Sequence, residues 1–295
     1  MTRFQAFTRC MPDELYAGYV GRLMHLQLCF TQKELRQQLM EAYNGDPIEP
    51  DSIDTVARAA GKSRADFVQQ HTIIPYVRMT SREPEPKDHH RLSAKHMDLA
   101  IVGQRRGMRL RYCPECVSAD EKGHNGLSWW RRMHQIGGVD WCPQHRTVLR
   151  VARSLKAFEG LPGQIAISDS DSVTADSLSD WPVLDRYIAY MEGVMKRPKP
   201  ARHADVGQLI GHRLFLARSQ CSDTRQYLLS DWVLPHVPRQ WLYSHIPSFS
   251  KKREGEAFSG IDKVAATHTA GSQTAIGLVL SILCESADEM LGLLA

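Results

Sequence analysis

The sequence has no apolar run long enough to cross a membrane. Its longest, near Ala275 to Cys284, is about half of the roughly 20 residues that a spanning helix needs. The opening stretch MTRFQAFTRC has no apolar core of the kind a secretion signal requires. Seven cysteines is an odd number for a disulfide framework, and the spacing of Cys113 and Cys116 suits a metal better than a bridge. These absences point to a reducing cytoplasm. Signatures of catalysis are also missing. There is no His-Glu-x-x-His, no Gly-x-Ser-x-Gly and no Walker loop, and no His-x-Glu precedes Cys113 as a zinc deaminase would need. We therefore expect no enzyme.

What remains is an ordinary globular composition: 295 residues, 42% apolar and 24% charged, enough for two or three modules with their own cores. The net charge of +4 conceals an asymmetry. Between Arg105 and Lys156, eleven Lys and Arg face four Asp and Glu, a local +7 that leaves the rest of the chain at −3. A basic centre in a near-neutral protein suggests a localised polyanion contact, the alternative being a solvated face.

Hydrophobic periodicity predicts a mainly α protein. Leu15, Tyr19 and Leu23 recur every four residues behind Asp13 and Glu14, which sit where a first turn favours negative charge. Thr31 with Glu34 forms a capping box ahead of Leu35 and Leu39. Asp51 or Ser52 opens a segment carrying Ile53 and Val56, Gly61 supplies a left-handed stop, and Ser63 with Asp66 starts a second helix. Such a helix-turn-helix either enters a DNA groove or simply packs. Its outer side would offer Arg64, Gln69 and Gln70 together with Asp66, too balanced for phosphate binding to dominate. His89, His90 and His96 have no regular ligand spacing and read as surface histidines.

The expected organisation is an N-terminal helical domain with the helix-turn-helix (residues 1–104), a basic segment with an inserted zinc-ribbon-like module (105–150), a linker or exposed loop (151–181) and a C-terminal helical domain (182–295). The linker rests on Gly160, Pro162, Gly163 and the acidic run SDSDSVTADSLSD. Beyond Pro182, Leu184, Ile188, Met191 and Met195 share a helical face, and Ser286 with Glu289 caps a last short helix.

The strongest chemical signal is Cys113-x2-Cys116 followed by Cys142-x2-His145. Two residues between ligands let the chain turn and present both side chains to one ion, and three thiolates with one imidazole complete tetrahedral Zn2+. Four protein ligands close the site, which suits a structural role rather than a catalytic one. Between the pairs, Trp129 to Gln135 reads as a helix with Trp130 and His134 packed over the metal; alternatively His134 replaces His145 as the fourth ligand. Arg105, Arg106, Arg109 and Arg111 lead into the first pair without acidic neighbours and are candidate nucleic-acid contacts through phosphate.

The order of these elements resembles the TniQ family, relatives of TnsD that select targets for bacterial transposons. Met11-Pro12-Asp13-Glu14-Leu15 with Arg22-Leu23 resembles the family's opening phrase. Ala60 to Ser63, running on to His71-Thr72-Ile73-Ile74-Pro75-Tyr76, resembles its helix-turn-helix. Tyr112 to Cys116, Trp130 to Gln135 and Cys142 to Leu149 resemble its zinc module, and Pro238-Arg239-Gln240-Trp241-Leu242 a weaker C-terminal phrase. The resemblance covers roughly residues 10 to 150. Residues 151 to 181 contain no cysteine, so the second zinc of many relatives is not expected. The long C-terminal extension of attachment-site binders is also missing, so autonomous recognition of a long DNA sequence is not expected. The resemblance implies a non-catalytic adaptor between a AAA+ transposition regulator (TnsC-like) and a target-recognising element, in some relatives a guide-RNA effector complex of the CRISPR type. It also implies contact with DNA or RNA backbone and, in some systems, a homodimer. The alternative is a zinc-containing transcription regulator that binds DNA alone.

Overall fold

The computed structural model describes residues 8–42, 53–92, 110–154, 156–219, 228–265 and 272–292. The chain is mainly helical, as its periodicity predicts. The helices are α1 (Tyr16–Leu26), α2 (Gln32–Ala42), α3 (Ile53–Ala59), α4 (Arg64–His71), α5 (Ile74–Val77), α6 (Pro114–Gly123), α7 (Pro182–Val194), α8 (His203–Ser219), α9 (Leu229–Val233), α10 (Arg239–His245), α11 (Ser259–Asp262), α12 (Gln273–Leu283) and α13 (Ala287–Gly292). Short strands lie at β1 (Thr80–Ser81), β2 (Arg111–Tyr112), β3 (Arg150–Ala152), β4 (Ser170–Ser172) and β5 (Ala201–Arg202). Two compact units emerge, the first from residues 1–74, 89–135 and 140–173, the second from 75–88, 136–139 and 174–295.

In the first unit, Leu15, Tyr19 and Leu23 are fully buried along one face of α1, as their spacing requires. Asp13 and Glu14 do not decorate the helix start. Glu14 is buried and receives Arg22 Nε at 2.7 Å and a second guanidinium nitrogen at 2.8 Å. Asp13 adopts a left-handed conformation (φ 54°), and its carboxylate accepts from Arg132 Nε and from the Met133 amide. The capping box of α2 forms as expected: the Glu34 amide donates to Thr31 Oγ1, and the Thr31 amide to the Glu34 carboxylate.

Helices α3 and α4 make the helix-turn-helix. Gly61 sits at φ 66° and Ser63 Oγ accepts from the Asp66 amide, while residues 51 and 52 lie outside the described residues. Arg64 is held internally, paired with Asp54 and donating to the carbonyls of His90 and Leu92. His89 is buried at 2% exposure, correcting its reading as a surface histidine, and His96 lies outside the described residues.

Of the segment expected to be a linker or exposed loop, 151–181, residues 151–173 belong to this unit and carry strand structure. β2, β3 and β4 form an antiparallel sheet with Tyr112 opposite Arg150 and Val151 opposite Asp171, so the acidic serine-rich run supplies a strand. Ser170 turns inward to the Tyr112 hydroxyl and Arg150, while Asp171 points out to Arg153. A composition typical of loops is tolerated because an edge strand needs backbone pairing more than apolar side chains.

The second unit is built on helix packing. Pro182 opens α7, where its missing N–H costs nothing. Leu184, Ile188, Met191 and Met195 are all buried along the expected face. On α12, Ser272 Oγ caps the Ala275 amide, and Gly277 allows close approach to α7: a Cβ there would stand 2.2 Å from Met191 Cε. Residues 136–139 belong here. The Gly138 carbonyl accepts from Trp241 Nε1 at 3.0 Å, and the Gly137 carbonyl accepts from the Tyr187 hydroxyl. Ser286 Oγ accepts from the Glu289 amide at the start of α13, as its capping pattern predicts. No helix among the described residues is long and apolar enough to cross a membrane.

Candidate metal centre

Each ligand pair is made by a different local device. Cys113 is the N-cap of α6, Pro114 takes the first helical position, and one turn later the Cys116 amide points back at Cys113 Sγ, 3.5 Å away. The second pair closes on a tight loop. The Cys142 amide donates to the Thr147 carbonyl at 2.8 Å, the Arg146 amide to the Cys142 carbonyl at 2.9 Å, and Arg146 adopts φ 59° to complete the turn. Trp141 pairs with Val148 across its base.

The ligand atoms of Cys113, Cys116, Cys142 and His145 all lie within 4.8 Å of one another. His145 Nδ1 is 3.5, 3.3 and 3.7 Å from the sulfurs of Cys113, Cys116 and Cys142, and Cys116 Sγ is 3.6 Å from Cys142 Sγ. A tetrahedral ion with sulfur at about 2.3 Å and nitrogen at about 2.0 Å would have edges of about 3.5–3.8 Å. Four of the six edges match that geometry and the other two, from Cys113 Sγ to the remaining sulfurs, lie within 4.8 Å, so the donor set is suited to a tetrahedral metal ion. The three cysteines are buried and His145 is half-buried. Crowding divides the thiols: hydrogen bonds from Cys116 and Cys142 pull Cys113 below the usual thiol range, while hydrogen bonds to Cys113 and Cys142 push Cys116 above it.

His134 is not part of this group. It is buried in a 3-10 turn, Met133–Gln135, and burial pushes its imidazole down to about 3. The helix expected from Trp129 to Gln135 is corrected as well; in the gap between the ligand pairs the helix is α6. Tertiary pairing takes the backbone of the tryptophan segment instead. The Leu15 amide donates to the Trp130 carbonyl at 2.7 Å, the Arg132 amide to the Asp13 carbonyl at 2.9 Å, and Trp130 Nε1 to the Gly160 carbonyl at 2.9 Å.

The basic centre is paired with acids from within it and from elsewhere in the chain. Arg131 makes a two-pronged pair with Asp120 (2.6 and 2.7 Å) and lies over the Trp129 ring at 4.6 Å. Arg132 pairs with Asp13 and Arg153 with Asp171. Arg111, expected to be without an acidic partner, pairs with Asp140 at 3.2 Å and has a side chain only 12% exposed. It is therefore no free cation. Arg105, Arg106 and Arg109 lie outside the described residues.

Sequence reasoning missed how Asp13, Glu14, Arg22 and Arg132 act together. Burial raises the Glu14 carboxyl above its usual range while the Arg22 hydrogen bonds and charge oppose this. The Glu14 carbonyl accepts from His71 Nδ1 at 2.9 Å. The available signal was an acid and a base eight residues, about two turns, apart beside a wholly apolar face.

Comparison with known proteins bears on the same region. The TniQ family model matches residues 6–149. Over 156 residues the chain is 26% identical to Transposon Tn7 transposition protein TnsD of Escherichia coli, an alignment covering 48% of this chain and 30% of that protein. The chain thus spans less than a third of the length of that curated relative. The matched span carries the buried Glu14–Arg22 pair, the helix-turn-helix and the four clustered side chains, and over that span the chain is similar to the TniQ family.

Proposed function

We propose that this protein is a transposition target-selection adaptor. It would link a target-recognising element, such as a guide-RNA effector complex, to a AAA+ regulator of the transposase. The observation that carries the reading is the overlap of the matched span, residues 6–149, with the first unit. A family module with its own core, in a chain that also carries a separate helical unit, is the organisation a two-sided connector needs. The relative whose name specifies transposition matches this chain over 48% of its length.

In this reading the cluster of Cys113, Cys116, Cys142 and His145 holds Zn2+ in a ribbon-like module and has a structural role. The metal supplies folding energy, because the four ligands do not converge in an unfolded chain. The first unit meets the AAA+ regulator, the partner shared across the family, and the second meets the system-specific recognition complex. Arg105, Arg106 and Arg109 add affinity for nucleic-acid backbone; Arg111, committed to Asp140, is left out of that set.

The test is a transposition assay with the gene deleted, paired with pull-downs of the full-length protein on each partner. A fragment ending near residue 150 is a poor tool, since it would remove most of β3 and all of β4. Loss of targeted insertion on deletion, and cross-links from the first unit to the regulator and from the second to the recognition complex, are expected. Binding to neither partner, together with sequence-selective binding to a short duplex, would favour an independent DNA-binding regulator.

A further inference from the structure

We propose that Thr147 is a positioning residue of the metal centre, its hydroxyl donating a hydrogen bond to the Cys113 sulfur. The inference rests on the reading of the cluster as a zinc site. Thr147 Oγ1 stands 3.4 Å from Cys113 Sγ, although the two residues are 34 positions apart. A metal-bound cysteine is a thiolate with no hydrogen to give, so the hydroxyl is the donor.

The backbone makes this contact reproducible. The left-handed Arg146 turns the chain back, and the Thr147 carbonyl is anchored by the Cys142 amide at 2.8 Å. Antiparallel pairing of Trp141 with Val148 fixes the next residue. One ligand pair thus carries, two residues beyond His145, a donor aimed at a sulfur of the other pair.

Three thiolates around a divalent cation leave a net negative charge in a buried place, and donors to sulfur are what disperse it. Cys113 takes two, the Cys116 amide and the Thr147 hydroxyl. The amide comes with any cysteine that caps a helix in this way, whereas the hydroxyl depends on the residue at 147. Thr147 therefore tunes how tightly the metal is held and how strongly Cys113 donates electron density to it.

The experiment uses the full-length protein with Zn2+ or Co2+ as the probe, comparing wild type, Thr147→Val, which keeps the shape, and Thr147→Ser, which keeps the hydroxyl. Zinc affinity is read by competition with a chromophoric chelator, and sulfur donation by the position of the sulfur-to-cobalt charge-transfer band. Thr147→Val should bind zinc about tenfold more weakly, at the lower end of what outer ligand partners contribute. Its band should move to lower energy, and Thr147→Ser should stay near wild type on both readings. Unchanged affinity and band in Thr147→Val would overturn the proposal while leaving the metal site standing. Equal losses in both variants would do the same, by showing that the packing of the intact threonine side chain, not the donation of its hydroxyl alone, supports the site. A wild-type chain that gives no tetrahedral cobalt spectrum would remove the metal reading and this inference together.

Discussion

Inside the first unit, charged groups lie where the second unit has aromatic and aliphatic side chains. Glu14, Arg22, Asp120, Arg132 and Asp140 are all buried and all belong to the first unit, whereas among the described residues the buried polar residues of the second are Thr174, His203, Ser230, Thr274 and Ser281, and its one deeply set charge is the Lys252 side chain, paired with Asp231. Its interior is instead supplied by Tyr187, Tyr190, Met191, Trp241 and Leu278. The difference concerns how each unit specifies its structure. Apolar burial stabilises in proportion to area and tolerates many arrangements. Buried ion pairs add little net stability, because desolvation offsets attraction, yet they penalise every arrangement in which one partner is missing. The first unit should therefore fail abruptly when a partner or metal is lost, and the second gradually.

Metal removal should separate the units most. Structural zinc contributes about 10–16 kcal/mol of binding energy to folding in small modules. Chelation, or Cys142→Ser, should abolish amide protection across residues 110–152 while α7 and α12 keep theirs, as read by hydrogen exchange. Equal loss in both units would erase the distinction.

Next comes the Glu14–Arg22 pair. Arg22→Met leaves a buried carboxylate alone and should cost about 3–5 kcal/mol in urea unfolding of the first unit. Adding Glu14→Leu should recover much of that cost, since a buried pair replaced by apolar side chains is often neutral. No recovery would mean that the charges carry net stability here.

For the second unit, Leu278→Ala should cost about 2–5 kcal/mol as a cavity in a fully buried site, with the same value before and after chelation. A metal-dependent cost would show that the units are energetically joined.

A smaller effect is expected from pH. Burial pushes the His71 imidazole down to about 4, so the folded chain keeps it neutral while the unfolded chain takes up a proton below about 6.5. The folded state is therefore favoured fully above that pH. It loses about 1.4 kcal/mol per pH unit as the pH falls from about 6.5 toward 4. The stability difference between wild type and His71→Phe should show this slope; a flat difference would mean the ring is protonated when folded.

The smallest change is electrostatic. Replacing Arg105, Arg106 and Arg109 by alanine should flatten the dependence of nucleic-acid affinity on log salt by about one unit for each phosphate that is no longer neutralised. Arg111→Ala should act through stability rather than through this slope. An unchanged slope in the triple variant would remove the arginines from nucleic-acid binding.

Much of this was legible along the chain. The Thr31–Glu34 and Ser63–Asp66 caps, the apolar face of α7 and the four converging ligands all depend on residues within a few turns or on paired spacing, and all four features are present. The errors share a different cause. Trp129 to Gln135 was expected to be helical because its side chains fit that period, but residues 13–15 compete for its backbone from more than a hundred positions away. The serine-rich run was expected to be a linker or exposed loop because its composition is polar, yet β3 pairs with its Ser170–Ser172 stretch.

The sequence by itself determined where helices begin, which faces turn inward and which four side chains converge, because capping, periodicity and ligand spacing are short-range properties. Tertiary structure decided the fate of the charges. Whether an arginine is a surface cation or half of an internal pair depends on which carboxylate the fold brings to it, and Asp13 for Arg132 and Asp171 for Arg153 come from outside the basic stretch, while Arg111 pairs with Asp140 within it. A local excess of +7 is therefore not a surface charge of +7, since Coulomb attraction follows distance in space and counting along the chain does not.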